Sequence, residues 1–107
     1  MKRLYNSRGN HVANEVNGQL HEPTGRNIGH FLTRESIFID LHGRYLGEIV
    51  MNDRLMRNRN SRHSSVSFGN RGYYGTVGNY GTPGNHGSLR QPAGYEDIPE
   101  ELLGRAP

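Results

Sequence analysis

The chain has 107 residues, no cysteine and a net charge of +3. The lack of cysteine excludes a disulfide framework and a cysteine-based zinc site, and the mild basic excess falls short of a nucleic-acid-binding composition. Only 32% of residues are hydrophobic and the mean hydropathy is −0.85, so the core must be thin, no apolar run reaches membrane-spanning length, and self-association is the expected remedy.

Met1 to Ser7 is charged and leads into no apolar stretch. Neither a secretory signal nor a membrane anchor is expected, and the expected location is the cytoplasm, with assembly outside the cell left open. From Leu4 onward a repeat of about 16–18 residues emerges. Leu4, Leu20 and Phe38 each stand five residues before a glycine: Gly9, Gly25 and Gly43. Three residues after each glycine comes an apolar residue (Val12, Ile28, Leu46), then a small one (Ala13, Gly29, Gly47). A degenerate fourth copy places Leu55 five before Asn60, asparagine being the best substitute for glycine in a left-handed conformation.

Each copy reads as a β-hairpin. The turns Asn6–Gly9, Glu22–Gly25, Asp40–Gly43 and Arg57–Asn60 fit a type I turn followed by a left-handed residue, the G1-bulge hairpin. Pro23 sits at the second turn position, where its fixed φ fits. Gly9, Gly25, Gly43 and Asn60 are therefore the expected turn-forming residues. The expected fold class is all-β: residues 1–62 form a domain of four consecutive short hairpins with a pseudo-fourfold, flower-like arrangement.

Residues 63–67 read as a linker. Then glycine falls at every third position: Gly69, Gly72, Gly75, Gly78, Gly81, Gly84 and Gly87. A strict three-residue glycine period implies an extended polyproline-II or polyglycine-II strand, packed where a side chain has no room. Such a strand satisfies none of its own backbone hydrogen bonds and needs partners. The segment 68–88 is thus expected to dock on other copies or on the β domain, with a short collagen-like triple helix and a disordered glycine-rich tail as the alternatives, and these seven glycines are the candidate assembly residues. Residues 89–107 form a C-terminal tail, in which 96–104 resemble one helical turn with Pro99, Glu100 and Glu101 at its start and Gly104 as its cap.

The run Phe38-Ile39-Asp40-Leu41-His42-Gly43-Arg44-Tyr45-Leu46-Gly47, with hairpin copies on either side, resembles the small bacterial four-fold β-flower proteins. They carry a similar D-x-x-G-R-Y-L-G core between shorter repeats, followed by a Gly/Pro-rich extension. The resemblance covers about residues 4–62. It implies a flower-like all-β fold and no catalytic residues. The tail departs from the pattern, since glycine triplets replace a proline-rich stretch.

Chemistry-bearing patterns are sparse. The six histidines (His11, His21, His30, His42, His63 and His86) fall at non-equivalent repeat positions and form no metal-ligand spacing, so no metal and no cofactor are expected. No acid–base pair, nucleophile motif or phosphate loop is present, and no enzymatic activity is expected. The expected function is structural: a homo-oligomer or fibre with subunits joined by the triplet segment. The alternative is a nucleic-acid- or polyanion-binding module using Arg54, Arg57, Arg59, Arg62 and Arg71, the last of these beside Tyr73 and Tyr74 in an Arg/Gly/Tyr segment.

Overall fold

Eight short strands lie in one sheet in the computed structural model, which describes residues 1–81 and 83–103. They are β1 (Lys2–Tyr5), β2 (His11–Val16), β3 (Gln19–His21), β4 (Asn27–Leu32), β5 (Ile37–Asp40), β6 (Tyr45–Val50), β7 (Arg54–Asn58) and β8 (Tyr95–Asp97). Each pairs antiparallel with the next, and β1 returns to pair parallel with β7 through Tyr5 and Arg54. The fold is all-β: a closed seven-stranded mixed barrel, with β8 as an extra outer strand and a 3-10 turn at Glu100–Leu103. The described residues contain no α-helix, and none could cross a membrane as one.

Three of the expected turns form as their chemistry dictates. Gly9, Gly25 and Gly43 donate their amides to the carbonyls of Asn6, Glu22 and Asp40 at 3.0, 2.8 and 3.1 Å. The strands then rejoin, with the amides of Asn6, Glu22 and Asp40 each donating at 2.9 Å to Asn10, Arg26 and Arg44. At Gly43 φ is +84°, a region forbidden to most L-residues, so the turn demands glycine there. The ladder bulges at matching places, after Leu4, Leu20 and Phe38. Each bulge accommodates the extra residue that the G1 turn inserts.

The fourth turn departs from expectation in two respects. It closes one residue later, with Ser61 N donating to Asn58 O at 3.2 Å. Asn58 Oδ1 also accepts the Asn60 amide at 2.9 Å, so an Asx-type bond organises the turn. Asn60 belongs to the turn but is not left-handed; among the described residues the left-handed non-glycine ones are Asn17, Ser36, Met51 and Asn52. Nor does a strand follow directly. The partner of β7 beyond this turn is β8, with Met56, Arg57 and Asn58 opposite Asp97, Glu96 and Tyr95. The helical turn expected over 96–104 is accordingly shorter, since Glu96 and Asp97 lie in β8 and the 3-10 turn starts at Glu100. Gly104, its expected cap, lies outside the described residues.

The core combines residues from every strand of the repeat. Leu4, Leu20, Phe38 and Leu55 meet Val12, Ala13, Ile28 and Leu46, and Ile98 and Leu103 join them from beyond β8. A second cluster of Ile37, Ile39 and Tyr45, with Leu32 and Phe68 against it, lies apart from the first. Ile37, Phe38 and Ile39 are consecutive and all buried, so this strand is covered on both faces.

Candidate functional site: the glycine belt

The triplet segment wraps its own barrel. Phe68 N donates to Gly43 O at 2.9 Å, Val77 N to Gly25 O at 2.9 Å, and His86 N to Gly9 O at 3.0 Å. These donors stand nine residues apart, three triplets each, and they visit the turns in reverse chain order. Arg71 N donates to Leu41 O, Asn27 N to Gly75 O, and Leu89 N to Ser7 O. The circuit ends at the fourth turn, where Arg59 N donates to Gly94 O at 2.8 Å. An extended chain with no ladder of its own thus finds acceptors at the hairpin turns. The radius of gyration is 12.9 Å. A compact chain of this length should have about 13 Å, so the belt lies against the barrel and does not project.

The crowding that favours glycine sits on the barrel side of these contacts. A Cβ on Gly43 would lie 2.6 Å from Gly69 N, and one on Gly9 would lie 2.6 Å from Gly87 N. Gly25 faces the Val77 carbonyl in the same way. The seven belt glycines have no such neighbour: a Cβ on any of them meets nothing within 4 Å. Alternate ones are left-handed, with φ of +83°, +87°, +87° and +80° at Gly69, Gly75, Gly81 and Gly87. Gly72, Gly78 and Gly84 are neither left-handed nor crowded within the chain.

Side chains fasten the belt at several points. Arg54 is 4% exposed, and its guanidinium donates to Asn6 O and Gly87 O from Nη1 (3.1 and 2.8 Å) and to His86 O from Nη2 (3.1 Å). Its Nε donates to Asp53 Oδ1 at 3.1 Å. His86 stacks on Tyr5 with ring centroids 3.8 Å apart. Asn27 Oδ1 accepts the Tyr74 amide at 3.0 Å, and Arg3 Nη2 donates to Tyr80 O at 2.7 Å. Tyr74 meets His30 edge-on. His30 itself hydrogen-bonds Gln19 Oε1. Burial holds the His30 pKa below its ordinary value, the Arg71 charge adds to this, and the Gly72 backbone opposes it.

The tail then locks the seam. Asp97 on β8 accepts the Ser7 amide and hydroxyl, both at 2.7 Å, tying the C-terminal strand to the first turn. Glu48 on β6 accepts the hydroxyls of Tyr45 and Tyr95 at 2.8 and 3.1 Å, and Tyr45 OH accepts the Asn58 amide at 2.9 Å. Burial, with Glu48 adding, pushes the Tyr45 hydroxyl up to about 12 against the opposing Asn58 bond. Tyr95 is raised for the same two reasons.

The five arginines of the cluster differ in burial and in partners. Arg54 is buried in the belt joint, Arg57 donates to Tyr45 O and lies 5.4 Å from the centre of its ring, and Arg59 pairs with Glu96 at 3.9 Å. Arg59, Arg62 and Arg71 are exposed. The histidines likewise disperse: His11 bonds Asn14, His21 bonds Gly25 O, and His63 packs near Phe68. The described residues hold no group of histidine and carboxylate side chains that could bind a metal ion.

The outer side of the belt presents Tyr73, Tyr74 and Tyr80 at 55, 62 and 42% exposure, beside the uncrowded glycines. The structural roles of Arg54, Asp97 and β8 escape a reading of the sequence. A signal for β8 exists in Pro92 and Gly94, which bracket a turn closed by Tyr95 N to Pro92 O at 3.0 Å, with the core residue Ile98 four places after the glycine. No protein-family model matches the chain, and no curated protein or solved structure matches it significantly.

Proposed function

We propose that this is a non-enzymatic structural protein that assembles with further copies of itself through the outer face of the glycine belt. The supporting observation is the state of Gly72, Gly78 and Gly84. Nothing among the described residues requires glycine at these positions, yet the three-residue period is kept through them. A neighbour that approaches too closely for a side chain supplies the missing reason. The exposed tyrosines alongside supply apolar area and hydroxyls of the kind enriched at interfaces.

A flower-like arrangement of four units, as the resemblance to four-fold β-flower proteins implies, has independent support. Three units are hairpins with matching turns and bulges, and β7 with β8 forms the fourth. Nine extended residues cover about 28 Å at ~3.1 Å each. That is about a quarter of the circumference of a disc 35 Å across, the two larger dimensions of the molecule. The polyproline-II-like or polyglycine-II-like reading can apply only between Gly69, Gly75, Gly81 and Gly87, whose φ of +80° to +87° departs from the polyproline-II value of about −75°. The cytoplasm is the proposed location, and a second copy is the proposed partner.

Polyanion binding has less support, because Arg54 is buried, Arg57 is half-buried on Tyr45, and of the three exposed arginines, Arg59, Arg62 and Arg71, the first pairs with Glu96. Sedimentation velocity over a micromolar concentration series tests the assembly reading. The wild type should sediment as an oligomer, Gly78→Val should shift toward a folded monomer, and Asn79→Val should behave as wild type. A monomer at every concentration overturns the reading.

A further inference from the structure

The strand that completes the seam arrives from far along the chain. β7 ends at Asn58 and β8 begins at Tyr95, whereas the three earlier turns are closed within four residues. We infer that the C-terminal arm, from Phe68 through β8 to Leu103, exchanges between two copies, with β8 of one chain paired to β7 of the other. The inference rests on the self-assembly reading and adds to its outer-face contact a second way in which two copies are joined.

Three features make the exchange inexpensive. First, the connector before the arm has local backbone bonds only, Ser64 N to Ser61 O and Val66 N to His63 O, and Ser64 through Ser67 are exposed. Straightening it sacrifices little. Second, the belt meets the barrel through backbone bonds at the turns and through side chains such as Arg54, Arg3 and Asn27, each of which every copy of the barrel carries. Those bonds form equally well on either copy. Third, the apolar anchors at the arm's end, Ile98 and Leu103, enter the core from the same short stretch as β8. Transferring the stretch whole restores the core of the recipient. Exchange of an identical element therefore preserves nearly every contact and alters the hinge alone. The closed form is favoured in dilute solution, since a short linker holds its own arm at an effective concentration of about millimolar.

Arg57 and Glu96 lie directly opposite each other in the β7–β8 pair, and the chain has no cysteine of its own. In the double variant Arg57→Cys with Glu96→Cys, a disulfide reports which chain supplies β8. The variant is refolded across a concentration series, oxidised and run on a non-reducing gel, with each single variant as control. The expected result is a reducible band at twice the chain mass, growing several-fold with refolding concentration and far weaker in the controls. Disulfides confined within single chains at every concentration overturn the inference. If the wild type then still assembles in sedimentation, exchange alone fails and the outer-face contact stands; if the wild type is monomeric, both fail. In the cysteine-free background, deleting Ser64–Val66 shortens the hinge and should raise the dimer fraction several-fold. An unchanged fraction also counts against exchange.

Discussion

Gly43 and Gly78 lie in two regions of one chain and answer to different constraints. Gly43 closes a hairpin at positive φ, and its missing side chain leaves room for Gly69. Gly78 has an ordinary φ and open space where its side chain would be. The comparison teaches that a periodic glycine line need not mark the crowded surface. Here the irregularly spaced turn glycines make room, and the regularly spaced belt passes over them. What crowds Gly78, in the reading proposed above, belongs to another molecule.

Removing the belt altogether tests this division hardest. A chain ending at residue 67 loses β8, Ile98, Leu103 and every amide that the belt donates to the turns. Ile98 and Leu103 alone are worth about 2 kcal/mol each in buried apolar area. Because small domains are stable by only ~5–15 kcal/mol, the truncated chain should show no cooperative melting transition by circular dichroism. A transition matching that of the full chain would mean the belt is dispensable to the fold.

Single substitutions should then separate the two regions. Gly43→Val combines left-handed strain with a clash against Gly69 and should cost at least about 3 kcal/mol. Arg54→Met removes the buried donor to Gly87 O and His86 O, while Asn6 O keeps the Gly9 amide, and should cost about 2–4 kcal/mol. Gly78→Val, measured as a monomer, should lie within about 0.5 kcal/mol of wild type. Urea unfolding ranks all three, and a Gly78→Val cost equal to that of Gly43→Val would erase the distinction.

The smallest effect is on pH. His30 has its pKa held below 6.5 in the folded state by burial and by Arg71. The unfolded chain therefore binds more protons there, so the stability contributed by neutral His30 is complete above pH 6.5 and declines as pH falls through the lowered value. Belt residues near His30, Tyr74 and Arg71 among them, should become more accessible to limited proteolysis between pH 7 and pH 5. In His30→Phe that pH response should flatten; an unaltered response would assign it to another group.

Much of the barrel is legible in the sequence because its turns are made by local chemistry. Asn6, Glu22 and Asp40 with glycine three residues later settle both the turn type and the bulge. The fourth unit is legible only in outline. The Leu55–Asn60 spacing points to a turn at Arg57–Asn60, while the Asn58 carboxamide places it one residue later. β8 is hidden because Tyr95, Glu96 and Asp97 gain their strand conformation from β7, and Glu100 and Glu101 nearby read as a helix start. The glycine period announces an extended, close-packed segment, but period alone does not say which partner surrenders the side chain. The arginine cluster is divided by burial in a way the sequence does not reveal: closeness in sequence does not separate Arg54, buried in the belt joint, from Arg62 in solvent.

Amide hydrogen exchange at Phe68, Val77 and His86 tests most directly whether the belt is part of the fold. These three amides are the donors to the turn glycines. They should be protected to a similar degree and lose protection together in Gly43→Val. Exchange of all three at the rate of a free extended peptide would contradict the account.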